Sequence, residues 1–434
     1  MTAFEDFILQ HQDEDINQLL LRKEKYAGID ITLAVNTILT RKKLKDKVPS
    51  FYRYASLVYP TRLSGEQCSS ENTALYKAQI AASKVPHFRL ADLSGGLGVD
   101  CWAFAQEGEE ILHNERNRAL SEAVQANFKT LGIDNCRFSC KTVIGSEKKL
   151  DMGDNEACIA EILADFQADI LFLDPARRDT QGGKVFRLED CSPNVLALKD
   201  ELFQHARYLF LKLSPMADIH AICESLGPQC QEVYVIGSQN ECKELLIWLD
   251  REHTGEYRIT VRESENEFCF SPEEEKAATI LKAKDLKEIK EAECLFEPSK
   301  AVLKSGAFKL LCQRFGLKKL ADSTHIYIGK TEEIPLSLGK CHRIELCLPF
   351  GSRTIKEIGK EYPSADVSAR NLPLSSDELK KRLGGRKTKG KGGEGKHIFA
   401  LACESACGEK ENLLFVTQTF RRGNSPDKVS ELHV

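Results

Sequence analysis

Seven short apolar runs alternate with helical segments between residues 89 and 252, and this alternation restricts the fold more than any other feature. The runs are "FRLADLS", "EEILHNER", "CRFSC", "ADILFLDP", "RYLFLKLSP", "EVYVIGS" and "ELLIWLD". Several are apolar over consecutive residues, as in strands covered on both faces of a parallel sheet. Between them, "NRALSEAVQANFKTLG" sets Leu120, Val124, Phe128 and Leu131 on one helical face, with Gly132 placed to stop it. "SPNVLALKDELFQHA" opens on Ser-Pro, which reads as a cap and first-turn pair. The last two runs are separated only by "QNECK", too short for a parallel crossover, so that pair is antiparallel. The expected core is α/β: a doubly wound sheet, parallel but for one reversed strand near its edge.

The chain has 434 residues, too many for one ordinary core. Residues 1–88 read as a helical region with basic clusters at Arg22/Lys23/Lys25 and Arg41–Lys47. Residues 89–252 are the sheet domain; 253–335 and 336–434 read as two further α+β units. Between Lys380 and Lys391, seven of twelve residues are Lys or Arg and none is acidic, so this glycine-threaded loop is strongly positive. No apolar run approaches the ~18 residues of a membrane span. The acidic start "MTAFEDF" lacks the basic and apolar regions of a secretion signal, so a cytoplasmic protein is expected. Sixteen cysteines are scattered without any C-x-x-C pair, which points to reduced core thiols and to no metal site.

The stretch "ADLSGGLGVD" (91–100) closes the first run with Asp92 and follows it with Ser94, Gly95, Gly96 and Gly98. In an open parallel sheet, this first strand-to-helix turn forms the floor of the ligand site. Neither G-x-x-x-x-G-K-[ST] nor G-x-G-x-x-G is present, which disfavours a nucleoside triphosphate and the usual dinucleotide loop. The pattern is D-x-[GS]-x-G-x-G, in which glycine lets the backbone pass close to a flat ligand. Glu115 ends the second strand, 23 residues after Asp92, where an acid can accept both hydroxyls of a ribose. That geometry serves NAD as well as S-adenosylmethionine.

The block from "ADLSGGLGVD" through "KTLGI" resembles the first third of a class I S-adenosylmethionine-dependent methyltransferase. In detail it is similar to RNA methyltransferases of the trimethylguanosine-synthase type. The upstream "SGEQCSSENTALYKAQIA" resembles the helix that closes over the cofactor's methionine end in those enzymes, which brings in Ser70. The whole arrangement, with "EPSKAVLKSGAFKLLCQRFGLKKLADSTHIYIG", resembles a bacterial methyltransferase family whose C-terminus is THUMP-like. The resemblance implies a Rossmann-like class I methyltransferase sheet, a ferredoxin-like unit over 253–335 and an RNA-binding THUMP-like unit over 336–434. It implies S-adenosyl-L-methionine as cofactor, held by Ser70, Asp92, Ser94, Gly95, Gly96, Gly98, Glu115 and Asp174. Asp151 and Asp154 are candidates for the acid that meets the adenine amino group.

At the tip of the fourth strand, "FLDPARRD" places Asp174, Pro175, Ala176 and Arg177 where enzymes that methylate exocyclic amines carry [DNS]-P-P-[YFW]. An acid and the following carbonyl can accept the two N–H bonds of an amine and turn its lone pair outward. Pro175 fixes the backbone for this, and the planar guanidinium of Arg177 can stack on a base in place of the aromatic. Lys212 lies beside Asp174 at the end of the fifth strand. Lys77, Asp174, Lys212 and Glu244 also resemble the Lys-Asp-Lys-Glu set of ribose 2′-O-methyltransferases, in which a lysine takes the hydroxyl proton. The expected function is methylation of a base amine in structured RNA, rRNA or tRNA. The alternatives are ribose methylation, or an RNA-binding protein that keeps the fold as a scaffold. Lys309, Arg314, Lys318 and Lys319 are expected on a helical, RNA-facing surface.

Overall fold

The structure, a computed structural model, describes residues 2–147, 153–177, 188–384 and 395–420. The chain divides into two compact units: Met1–Val233 with Leu245–Glu256, and Tyr234–Glu244 with Tyr257–Val434.

The first unit opens with short helices Ala3–His11 and Ile16–Leu21, then α1 (Ile31–Lys47). Phe7, Ile8 and Leu19 pack there against Ile31, Ala34, Val35 and Ile38 of α1. After α2 (Glu71–Lys84) the chain enters the sheet through β1 (Arg89–Asp92), α3 (Val99–Glu107), β2 (Glu110–Asn114), α4 (Arg118–Leu131), β3 (Cys136–Ser139) and β4 (Ile170–Leu173). It continues through α5 (Val195–His205), β5 (Tyr208–Leu213), α6 (Ile219–Leu226), β6 (Cys230–Ser238) and β7 (Glu241–Asp250), of which Tyr234–Glu244 is assigned to the second unit.

Among these seven strands the order is β6-β7-β5-β4-β1-β2-β3. The β1/β2, β2/β3, β1/β4 and β4/β5 pairs are parallel, and β7 runs antiparallel to β5 from Leu245↔Leu213 to Asp250↔Tyr208. All seven apolar runs are strands, and the reversed one is where the "QNECK" spacing puts it. The middle of the sheet is dry: every residue of β4 is buried, as are Leu209, Phe210 and Leu211 of β5. Phe104, Phe172, Phe210 and Trp248 link across it in tilted or edge contacts, with centroids 5.2 to 5.6 Å apart from one to the next.

Helix α4 buries Leu120, Val124 and Phe128 and stops at Gly132, whose φ is 74°. Helix α5 is capped differently from the Ser-Pro reading. Its N-cap is Asn194, whose side chain accepts from the Ala197 amide, so Pro193 lies outside the first turn.

In the second unit, β8 (Arg258–Glu263) and β9 (Asn266–Phe270) pair antiparallel. The remaining strands are β10 (Cys294–Pro298), β11 (Lys318–Ala321), β12 (Thr324–Gly329), β13 (Gly339–Pro349), β14 (Asp366–Arg370), β15 (Lys396–Glu404) and β16 (Lys410–Phe420). They form one seven-stranded sheet in the order β11-β12-β10-β13-β16-β15-β14, antiparallel except for β14 with β15. Strands on either side of residue 336 thus share a single sheet.

Its two faces follow the strand period of two. Phe399, Leu401, Leu413 and Phe415 point to one core, whereas Ile398, Ala400, Leu414 and Val416 point to the other. The second core is closed by Ile355 and Ile358 of α7 (Ser352–Glu361) and by Leu379 of α8 (Ser376–Arg382). Lys318 and Lys319, expected on a helix, instead begin β11.

Candidate active site

The turn after β1 is built on Asp92. Its carboxyl is 1 % exposed and accepts from the Ser94 amide (2.8 Å), the Ser94 hydroxyl (3.1 Å) and the Cys101 thiol (3.3 Å). Burial pushes its pKa up to about 7, against the pull of the Ser94 amide. Asp92 therefore lies under the loop and shapes it. The Ser94 hydroxyl in turn accepts from the Asp174 amide at 2.6 Å, so the serine joins the tips of β1 and β4. This is the work of the serine in a loop where glycine would also fit.

Gly95 donates its amide to the Asn114 carbonyl at 2.8 Å, and Gly96 and Gly98 have φ of 52° and 79°. A side chain at Gly96 would meet open space, with only the Ser94 carbonyl at 3.8 Å. Here the backbone itself forms the floor. Glu115 leaves the end of β2 and reaches back to the loop. One carboxylate oxygen accepts from the Gly96 amide (3.0 Å) and the other from the Asn117 amide (2.7 Å).

Asp174 follows β4 directly, with its side chain 39 % exposed. Its Oδ2 is 2.5 Å from the Lys212 ammonium, which β5 delivers from the neighbouring position in the sheet. Pro175 is buried behind it. Ala176 and Arg177 pair with Cys191 and Ser192 in a short antiparallel ladder. The Arg177 side chain, Arg178 and Asp179 lie outside the described residues, as does Asp151. Asp154 is exposed on a turn, and its carbonyl accepts from Lys141.

Two residues that sequence reasoning passed over complete the constellation. Asp100, in the first turn of α3, has Oδ1 3.0 Å from the Lys77 ammonium, and its Oδ2 accepts from the Ser69 hydroxyl at 2.8 Å. Lys77 is 0 % exposed and donates to Ser69 at 2.9 Å, while Lys212 lies 3.9 Å from Asp100 Oδ2. Burial pushes the Asp100 pKa up, but Lys77 and then Lys212 outweigh it and hold the carboxyl below its usual range. Ser69, not Ser70, faces this cluster; Ser70 is the N-cap of α2 and accepts from the Thr73 amide. The first-turn position of Asp100 reads as an ordinary helix-start acid, and nothing in the spacing sets it apart. Glu244 is buried and belongs to the second unit.

Residues 295–335 match the description of a ferredoxin-like domain, and residues 339–419 that of a THUMP domain-like domain. No curated protein matches the chain in sequence. Among solved structures, a candidate methyltransferase from Porphyromonas gingivalis W83 is 27% identical, at a TM-score of 0.77, over 96% of this chain and 97% of that one. Two others are similar over a smaller share, at TM-scores too low to bear on function. A candidate methyltransferase from Streptococcus mutans, in complex with SAH, is 9% identical (TM-score 0.27, 41% of this chain, 97% of that one). An rRNA methylase from Streptococcus thermophilus is 11% identical (TM-score 0.26, 40% of this chain, 93% of that one). With its one reversed strand, its glycine turn faced by an acid from β2 and its THUMP-like match, the chain is similar over nearly its whole length to the class I S-adenosylmethionine-dependent methyltransferases that carry a THUMP-like domain.

Proposed function

We propose that the protein methylates an exocyclic amine of a base in structured RNA, rRNA or tRNA, with Asp174 as the residue that meets the amine. One observation carries this reading. Asp174 stands half-open at the tip of the central strand, its amide fixed by Ser94 and its Oδ2 held by Lys212. Its Oδ1 makes no hydrogen bond among the described residues, so it is the oxygen presented to an incoming N–H.

The residues present fit the cofactor. Gly96 offers open backbone, and Glu115, already turned to that backbone, is the acid that would hold the ribose hydroxyls. When bound, S-adenosylmethionine supplies a sulfonium methyl with a neutral leaving group. What the chain must contribute is then orientation more than proton transfer. Asp174 and the Pro175 carbonyl would each accept one N–H of the amine, which localises a lone pair otherwise delocalised into the base. Arg177 would give the base a planar surface to stack on. The THUMP-like match and the exposed cations at the end of α1 support RNA as the partner.

A second reading, ribose 2′-O-methylation, is favoured by one contact: Lys212 touches Asp174, as the Lys-Asp-Lys-Glu set requires. Transfer of labelled methyl into RNA lacking its modifications, followed by mass spectrometry of the nucleosides, separates the two. The expected result is a methylated base amine, with Asp174→Ala slower by about 100-fold or more. Label on ribose would move the second reading ahead. Equal labelling by wild type and variant would remove Asp174 from its role, and no label from either would leave an RNA-binding scaffold.

A further inference from the structure

Asp174 is the open end of a run of charges that begins deep in the unit. From the buried side outward the order is Lys77, Asp100, Lys212, Asp174, an alternation of ammonium and carboxylate. The successive N···O distances are 3.0, 3.9 and 2.5 Å. Ser69 closes the buried end, since its hydroxyl donates to Asp100 and accepts from Lys77.

Such a run is costly to bury, and an apolar filling of the same volume would often be as stable. Its placement gives it a use. Lys77 comes from α2, Asp100 from the first turn of α3 immediately after the glycine loop, and Lys212 from β5. Each is anchored on a regular element, and the three meet only here. Lys212 has little freedom to follow solvent, because its side chain is only 11 % exposed. The position of its ammonium therefore depends on the carboxylate behind it as well as the one in front.

We propose that Asp100 is a positioning residue for methyl transfer. Paired with Lys77 and Ser69, it holds Lys212 so that Lys212 fixes Oδ2 of Asp174 and leaves Oδ1 aimed at the acceptor. Because Asp100 sits on the helix that the glycine loop starts, the same residue ties the seating of that loop to the carboxylate across the cleft. The inference rests on the reading of Asp174 as the acceptor-facing group, but its physical core, the coupling of Asp100 to Asp174 through Lys212, can be tested without it.

The test uses the full chain as wild type, Asp100→Asn, Asp174→Asn and the double variant, with two readouts. In urea unfolding, each carboxylate partly compensates for loss of the other beside Lys212. The double variant should then shift the unfolding equilibrium constant by about tenfold more than the product of the single shifts. In labelled methyl transfer, Asp100→Asn should lower kcat by about tenfold or more and leave KM for the cofactor within about twofold, the pattern of an interaction that matters in the transition state. Asp100→Glu should restore part of kcat. Ser69→Ala, a milder change that spares the charges, should lower kcat by a few-fold and serves if Asp100→Asn does not fold. Additive unfolding shifts would overturn the proposal, as would a kcat unchanged in Asp100→Asn or an effect confined to KM. If wild type transfers no methyl to RNA, the reading of Asp174 fails on its own. The unfolding cycle still decides whether Asp100 and Asp174 are coupled.

Discussion

Asp92 and Glu115 are both acids at the ends of adjacent parallel strands, yet they end in opposite surroundings. Glu115 reaches over the loop and is partly open, whereas Asp92 is sealed beneath it. Burial raises the Asp92 carboxyl from its ordinary value of 3.8 to about 7. A raised folded-state pKa means that the folded protein binds the proton more tightly than the unfolded chain does. The resulting stabilisation is fully present below about pH 4 and is lost as pH rises through about 7. Between pH 5 and pH 8 the wild type should thus lose about 2–3 kcal/mol through this group. Asp92→Asn keeps a side-chain acceptor for Ser94 and should lack that slope. Urea unfolding of both proteins at the two pH values checks it, and equal slopes would mean that Asp92 is ionised throughout. The strand ends made the positions of Asp92 and Glu115 at the loop legible, but not that Asp92, expected to meet the cofactor, is sealed beneath the loop. Spacing did not disclose Asp100, because an acid in a first helical turn has an ordinary explanation and its two lysines come from distant segments.

At the scale of elements, the glycine loop is fitted to the strand below it. A β-carbon at Gly95 would lie 2.4 Å from the His113 ring, which β2 holds fully buried. Neither ring nitrogen of His113 has a hydrogen-bond partner of good geometry among the described residues, and burial pushes its pKa down to about 4. The ring is a neutral wedge that sets the height of the loop. Gly95→Ala should therefore cost about 2 kcal/mol or more of stability through overpacking. In a His113→Ala background, the same substitution should cost less than about 1 kcal/mol. A double-mutant cycle in urea measures this, and an equal cost in both backgrounds would place the strain elsewhere. The elements themselves were legible wherever burial dictates the residue pattern. The apolar runs of β4 and β5 announce two covered faces, and the face of α4 with its terminal Gly132 reads directly. The failures have physical causes. Asn194, not Ser192, is the cap, because its side chain accepts from the Ala197 amide and the helix begins at Val195, two residues beyond Pro193. Lys318 and Lys319 sit in a strand, where pairing with β12 overrides their local helical appearance.

At the scale of the whole chain, 61 basic and 65 acidic residues nearly cancel, so any affinity for RNA must come from where the cations stand. In the second unit, the lysines and arginine expected to face RNA are engaged. Lys318 pairs with Glu288, Arg314 with Glu274 and the Cys269 carbonyl, Lys309 with the Lys276 carbonyl, and Lys319 is buried against Phe308 and the Asp322 carbonyl. Of the Lys380–Lys391 stretch expected to be a loop, Lys380, Lys381 and Arg382 instead form the last turn of α8, and residues 385–391 lie outside the described residues. In the first unit the situation is different. Lys42, Lys43 and Lys45 of α1 and Arg53 just after it are exposed, and none makes an ion pair or hydrogen bond through its side chain among the described residues. Arg41 lashes the segment that carries Arg53 and the exposed Tyr54 to α1 by donating to the Tyr54 (2.6 Å) and Tyr52 (3.1 Å) carbonyls. Phe51 meets Trp102 of α3 edge-on at 5.6 Å, so this surface borders the helix that carries Asp100. Exposed cations without a side-chain partner among the described residues, on a segment that also exposes an aromatic ring, suit a phosphodiester backbone with an unpaired base. Replacing Lys42, Lys43, Lys45 and Arg53 with serine should weaken RNA binding at low salt. It should also lower the slope of log affinity against log salt by about 2–3, close to one for each phosphate that is no longer neutralised. Fluorescence anisotropy with a labelled structured RNA at several salt concentrations reads both quantities. A slope equal to that of the wild type would clear this face of RNA binding and leave the basic stretch Lys380–Lys391 as the place to look.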